Sequence, residues 1–119
     1  MKVINIKEKF SLFNDHWNPK IIGELNGQHV KLAKLKGEFV WHKHDNEDEL
    51  FYVVKGELQI AFRDKIQTIH ENEFIIVPRG VEHKPIANDE VCVLLFEPCS
   101  TINTGDTRND FTKENLESI

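Results

Sequence analysis

An all-β sandwich or barrel is the fold class this sequence predicts. Three observations point there. Short runs rich in β-branched and aromatic residues recur from Lys20 to Pro98. Gly, Pro, Asn and Asp punctuate them at intervals of about 8–12 residues. Only one short stretch has helical periodicity. A length of 119 residues suits one domain with a real core. The expected organisation is an N-terminal helix and arm over 1–19, a barrel over 20–99 and a polar tail over 100–119.

In chain order, "NIKEKFSLF" opens with Asn5 and carries Glu8 three positions later, an approximate capping box. Ile6, Phe10 and Phe13 follow at helical spacing, and Pro19 and the polar residues before it end the helix. "KIIGEL" and "QHVKLAKL" flank Asn26-Gly27, which supplies the positive φ angles of a type I′ hairpin. Lys31 and Lys34 interrupt the second arm, as on a solvated edge. "EFVWHKH", "ELFYVVKG", "ELQIAFRD", "KIQTIHE", "EFIIVPRG" and "EVCVLLFEP" complete seven or eight predicted strands. Of these, "LFYVVK" and "EFIIVP" read as buried. The tail from Ser100 is polar and reads as a frayed terminus.

Composition excludes several functions. Lys plus Arg number 15 against 20 Asp plus Glu, a formal net charge of −5, with no basic stripe. No nucleic acid is expected as a partner. No apolar stretch approaches the ~20 residues that cross a bilayer, and the first residues lack a signal-peptide core. No membrane partner is expected, and a cytoplasmic protein is. Cys92 and Cys99 are too few for a disulfide framework and read as small structural hydrophobes.

The histidines carry the chemistry. His42 and His44 lie two apart on a predicted strand, so both side chains share a face. Glu49 begins an apolar run, and a carboxylate carried inward needs a partner. Asp45, Glu47 and Asp48 read as a solvated loop. His83 follows a Pro78-Arg79-Gly80 reversal and starts a new strand with a defined direction. His16, His29 and His70 read as surface or packing residues.

The stretch from Gly37 to Gly56, "GEFVWHKHDNEDELFYVVKG", resembles the first signature of the cupin family: Gly, then His-x-His, then Glu, then Gly. "NEFIIVPRGVEH", Asn72 to His83, resembles the second, whose His completes a metal set. The first interval is one residue short, Asn72 replaces a Gly, and Asn88 lies one place late. Asn tolerates the left-handed conformation that Gly would supply. The resemblance implies a double-stranded β-helix, or jelly roll. It also implies one divalent transition metal ion held by His42, His44, Glu49 and His83.

Such donors suit Zn, Fe, Mn, Ni, Co or Cu rather than Ca or Mg. An octahedral ion with four protein ligands keeps two positions for a substrate's oxygens. Phe39, Trp41, Phe51, Val53, Phe62 and Phe74 are candidates for the barrel interior. Arg63, Arg79 and Lys84 are candidate anion anchors. Three functions follow: a metal-dependent enzyme on a small polar metabolite (sugar, sugar acid or dicarbonyl; isomerase-like or dioxygenase-like), a non-catalytic binding or sensing module, or a structural barrel with an incidental metal. No catalytic residue is identified, and enzyme status stays open. A homodimer is expected, formed by covering Phe10, Phe13, Trp17, Ile21 and Ile22.

Overall fold

Asn5 caps the first element: its side chain accepts from the Glu8 backbone N–H at 2.9 Å. The computed structural model describes residues 1–119, and the helix so started, α1, spans only Ile6–Phe10. Seven strands follow: β1 (Lys20–Leu25), β2 (Gln28–Glu38), β3 (Glu49–Lys55), β4 (Leu58–Phe62), β5 (Ile66–Ile69), β6 (Phe74–Val77) and β7 (His83–Pro98). All pairings among them are antiparallel, in the order β1-β2-β7-β3-β6, with β4 pairing β5 and β7. No helix is long and apolar enough to cross a membrane.

β7 is the spine. Its first residues, His83 to Ile86, pair with β4, and its second half pairs with both β2 and β3. One 16-residue strand thus belongs to both leaves of the jelly roll. Gly56 lies at the β3–β4 link with φ +95°, where an added Cβ would come within 3.1 Å of the Glu90 carbonyl oxygen. That contact explains the closing Gly of the first signature. Asn72 takes the left-handed φ of 67° in place of Gly, and Asn26-Gly27 have φ 50° and 77° as the hairpin requires.

Several expectations are corrected. "EFVWHKH" is not a strand: residues 39–48 are irregular apart from one bridge between His42 and His83. β2 is not an edge but lies between β1 and β7. Lys31 on it is buried, its ammonium donating to Glu97 at 2.8 Å. β3 alternates buried and half-buried residues rather than being buried on both faces. Of the interior candidates, Phe39, Phe51 and Val53 are in the core, Trp41 and Phe62 are half-buried, and Phe74 is exposed. β6, expected to be buried, is a sheet edge on which Phe74 and Ile76 face outward.

Phe10, Phe13 and Trp17 do not await a partner subunit. Phe10 and Phe13 pack with Leu32, and Trp17 stacks on Phe39 with ring centroids 4.6 Å apart. Nor does the tail fray. Thr101 and Thr104 are buried, Phe111 packs on the core, and Ser118 bridges to Ile21.

Candidate metal centre

The His42–His44 segment lacks a continuous ladder, so other contacts must hold it. The His42 backbone N–H donates to the His83 carbonyl at 3.1 Å, and His83 returns the bond at 2.9 Å. The tail supplies a second brace. The Lys43 N–H donates to Asp106 Oδ1 at 3.0 Å, and the Asp106 N–H donates to the Lys43 carbonyl at 3.0 Å. Gly105 has φ +56°, and a Cβ there would fall 2.2 Å from the Lys43 carbonyl oxygen. Only glycine permits this approach. The Gly80 N–H donates to the His44 carbonyl at 2.8 Å, so the Pro78–Gly80 reversal also anchors the segment.

These braces bring four predicted residues together. One donor atom from each of His42, His44, Glu49 and His83 lies within 4.8 Å of the other three, and all four residues are buried. His44 Nε2 is 3.4 Å and His83 Nε2 3.5 Å from Glu49 Oε1. Those three atoms are buried with no hydrogen-bond partner. Unpartnered buried donors and acceptors are rare, because each gives up its solvation. Their convergence is what a cation-binding cluster requires, so the residues present fit a metal ion. The orientation fits as well: His42 Nδ1 donates to the Val40 carbonyl and His83 Nδ1 to the Val81 carbonyl, both at 2.9 Å. Each bond fixes the tautomer and leaves Nε2 as a lone pair facing inward.

The titrations reflect the same packing. Burial, reinforced by electrostatic repulsion from the adjoining His83 ring, lowers the His42 imidazole to about 4. Burial also acts to lower His44, but the Glu49 carboxylate outweighs it and the group is raised above its ordinary value. Burial alone would raise Glu49, yet the Glu97, His44 and His83 side chains that face it hold it well below the usual carboxylate range.

Glu97 is the group the sequence reading missed. Buried near the end of β7, it accepts from Lys31 through Oε1, while Oε2 is buried and unpartnered. Burial, then the negative charge of Glu49, pushes its carboxyl well above the normal range. A sequence signal did exist: a lone acid inside the apolar run "VCVLLFEP" and a lone Lys inside "HVKLA". Glu97, His42 and Glu49 share the wall of a cavity with Trp17, Phe39 and Phe51, of about 40 Å³. That space admits a few waters at most. Trp17, Phe39 and Phe111 form an aromatic cluster beside it, and Trp17 takes a left-handed φ of 58°.

The proposed anion anchors are all engaged with carboxylates: Arg63 with Glu82, Arg79 with Asp48 and Lys84 with Glu38. Asp45, Glu47 and Asp48 stay outside the cluster, as expected of a solvated loop.

The model of the cupin domain matches residues 28–96, more than half of the chain and all four clustered side chains. The chain belongs to the cupin family. This cupin is similar to the crystal structure of a cupin-2 domain-containing protein from Shewanella frigidimarina: TM-score 0.80 and 52% identity, covering 81% of this chain and 94% of that one. It is 39% identical over 80 residues to protein YdbB of Bacillus subtilis, covering 66% of this chain and 65% of that protein. It is 31% identical over 64 residues to a mannose-1-phosphate guanylyltransferase of Sinorhizobium fredii, covering 50% of this chain. This cupin therefore spans 65% of the first curated relative and 12% of the second.

Proposed function

We propose that this cupin binds one divalent transition metal ion through His42, His44, Glu49 and His83, and uses that ion to hold a small oxygen-bearing ligand. The observation that carries the reading is the convergence of His44 Nε2, Glu49 Oε1 and His83 Nε2, all buried and unpartnered. When bound, such an ion supplies a Lewis acid, and a redox-active one supplies electron chemistry as well. The chain's own residues do the rest. The backbone bonds of His42 and His83 orient the imidazoles. Trp17, Phe39 and Phe51 give the cavity an aromatic wall, and Glu97 offers a further polar atom on it.

The two coordination positions that four protein ligands leave on an octahedral ion favour a ligand that presents two oxygens, of the dicarbonyl, sugar or sugar-acid class. The turnover expected of such a site is dioxygenase-like or isomerase-like. Metal analysis of untagged protein tests the reading. One equivalent of a transition metal, lost in His44→Ala and His83→Ala, supports it, and full occupancy in either variant overturns it. The two free thiols, Cys92 and Cys99, suit a reducing compartment such as the cytoplasm.

A homodimer also remains our reading, on a different surface from the one the sequence suggests. Ile66, Phe74 and Ile76 are 60%, 59% and 54% exposed on β5 and β6, which each pair with a single strand. An apolar face beside an open edge matches two-fold association with a second copy. Sedimentation should show a dimer that Phe74→Glu converts to monomer; a clean wild-type monomer at micromolar concentration rejects it.

A further inference from the structure

One other group of metal-ligating side chains converges outside the barrel cluster. Glu24 on β1, His29 on β2 and Cys99 just beyond β7 each place one donor atom within 4.8 Å of the others. We infer that Glu24, His29 and Cys99 form a second metal site, at the rim of the barrel, for a borderline-soft divalent cation of the zinc class.

The backbone sets this constellation. Glu24 and His29 are cross-strand partners in the β1–β2 hairpin. Residues facing each other in this way have Cβ atoms about 4.5–5.5 Å apart. The Asn26-Gly27 turn fixes their register. The third donor is tied to the same turn, because the Cys99 backbone N–H donates to the Gly27 carbonyl at 3.0 Å. Gln28 and Pro98 are paired beside it. Three separate elements therefore deliver one donor each to a single point.

The side-chain distances suit a shared ion. Cys99 Sγ donates to Glu24 Oε1 at 3.1 Å, and His29 Nε2 lies 3.9 Å from the same oxygen. Neighbouring donors on a tetrahedral zinc, with bonds of about 2.0–2.3 Å, stand roughly 3.3–3.5 Å apart. The two observed separations bracket that value. At 3.9 Å, His29 and Glu24 are beyond hydrogen-bond reach. The imidazole faces the carboxylate without bonding to it, while its Nδ1 is buried and unpartnered.

Donor chemistry selects the cation. Sulfur and imidazole exclude Ca and Mg, whose shells are oxygen. One sulfur, one nitrogen and one oxygen make a zinc-type set, and three protein ligands keep a further position for solvent. A thiolate and a carboxylate also match the charge of a divalent ion. The nearby buried cation, Lys31, is already paired with Glu97. An ion here clips the β1–β2 turn to the residue where the chain leaves the barrel.

Titrating the metal-free, full-length protein with Co²⁺ tests the inference. The barrel cluster has no sulfur donor, so a thiolate-to-cobalt charge-transfer band reports the rim alone, whether or not the barrel ion binds. Wild type should take up two equivalents and show the band. His83→Ala should lose one equivalent and keep the band. Cys99→Ser should lose the other equivalent and the band, and His29→Ala should weaken the band-forming event at least ten-fold. Cys92→Ser should leave it unchanged. Far-ultraviolet circular dichroism checks that each variant is folded, independently of either ion. No band in wild type, a band that survives Cys99→Ser, or a band lost in Cys92→Ser overturns the inference.

Discussion

The barrel cluster and the rim cluster hold their donors at similar separations, 3.4 and 3.5 Å in one and 3.1 and 3.9 Å in the other. Their surroundings differ. The barrel donors are buried, and their inner atoms have no alternative partner. At the rim Glu24 is exposed, and Cys99 already hydrogen-bonds to it. Without a cation the barrel cluster gives up solvation and gains little in return, whereas at the rim the Glu24 carboxylate stays solvated and the Cys99 thiol bonded to it. Distance alone therefore does not rank metal sites. The desolvation of the donors does, because it raises the free energy of the metal-free state.

The largest expected effect tests that ranking. His83→Ala should weaken barrel metal binding by more than the 10–100-fold typical of outer-shell substitutions, as read by competition with a chelator. At the rim, His29→Ala should leave barrel affinity unchanged. Comparable loss of barrel affinity in both variants would break the comparison.

Lys31→Met comes next. It leaves the Glu97 carboxyl, already held toward its neutral form, buried without its hydrogen-bond donor, which costs about 1–3 kcal/mol in denaturant unfolding. The double variant Lys31→Met/Glu97→Leu should recover most of that loss. Failure to recover would mean that the pair also orients Glu49.

Acid sensitivity is the third test. Unfolded His42 takes up its proton near 6.5, while folded His42 does so only at about 4. Between those values the unfolded chain binds more protons, so stability falls as pH falls. The contribution is complete above 6.5 and is lost on the way down to 4, amounting to about 3 kcal/mol. His44 runs the other way: its raised value favours the fold below 6.5, and that share is lost as pH rises. Urea unfolding of metal-free wild type and His42→Gln at pH 7 and pH 4.5 isolates the first term. A difference between them that does not change with pH would refute it.

Gly105→Ala should destabilise by about 1–3 kcal/mol, from a left-handed backbone and contact with the Lys43 carbonyl. Barrel affinity should fall with it, since Lys43 lies between two donors. The smallest effect belongs to the acidic loop. Glu47→Gln and Asp48→Asn should change barrel affinity by no more than about two-fold, since solvent screens them, whereas Glu49→Gln, with the same change in charge, should weaken it far more. Equal losses in all three would mean that the wrong carboxylate is named.

What the sequence made legible is local. His42, His44, Glu49 and His83 fall within two short signatures, and Asn26-Gly27 and Gly56 act through their own φ angles. What it hid is long-range. Glu97 meets Lys31 across 66 positions, and neither residue carries a spacing signal for the other. The tail's polar composition concealed the buried Thr104 and the close approach of Gly105. "EFVWHKH" has strand composition, yet its bonds go to His83, to the tail and to Gly80. Phe74 and Ile76 looked like core residues because periodicity does not distinguish a core face from an open sheet edge.

The brace between Lys43 and Asp106 also sets an order of assembly. These residues are 63 positions apart. During synthesis the His42–His44 segment emerges well before Asp106, and the outer edge of β1 well before Ser118. Closing so long a loop is entropically unfavourable, and contacts of this separation form slowly. A nascent chain therefore lacks one of the braces on its His42–His44 segment until residues 101–107 arrive. An ion that met the chain earlier would find a more loosely held imidazole pair than the finished cluster offers.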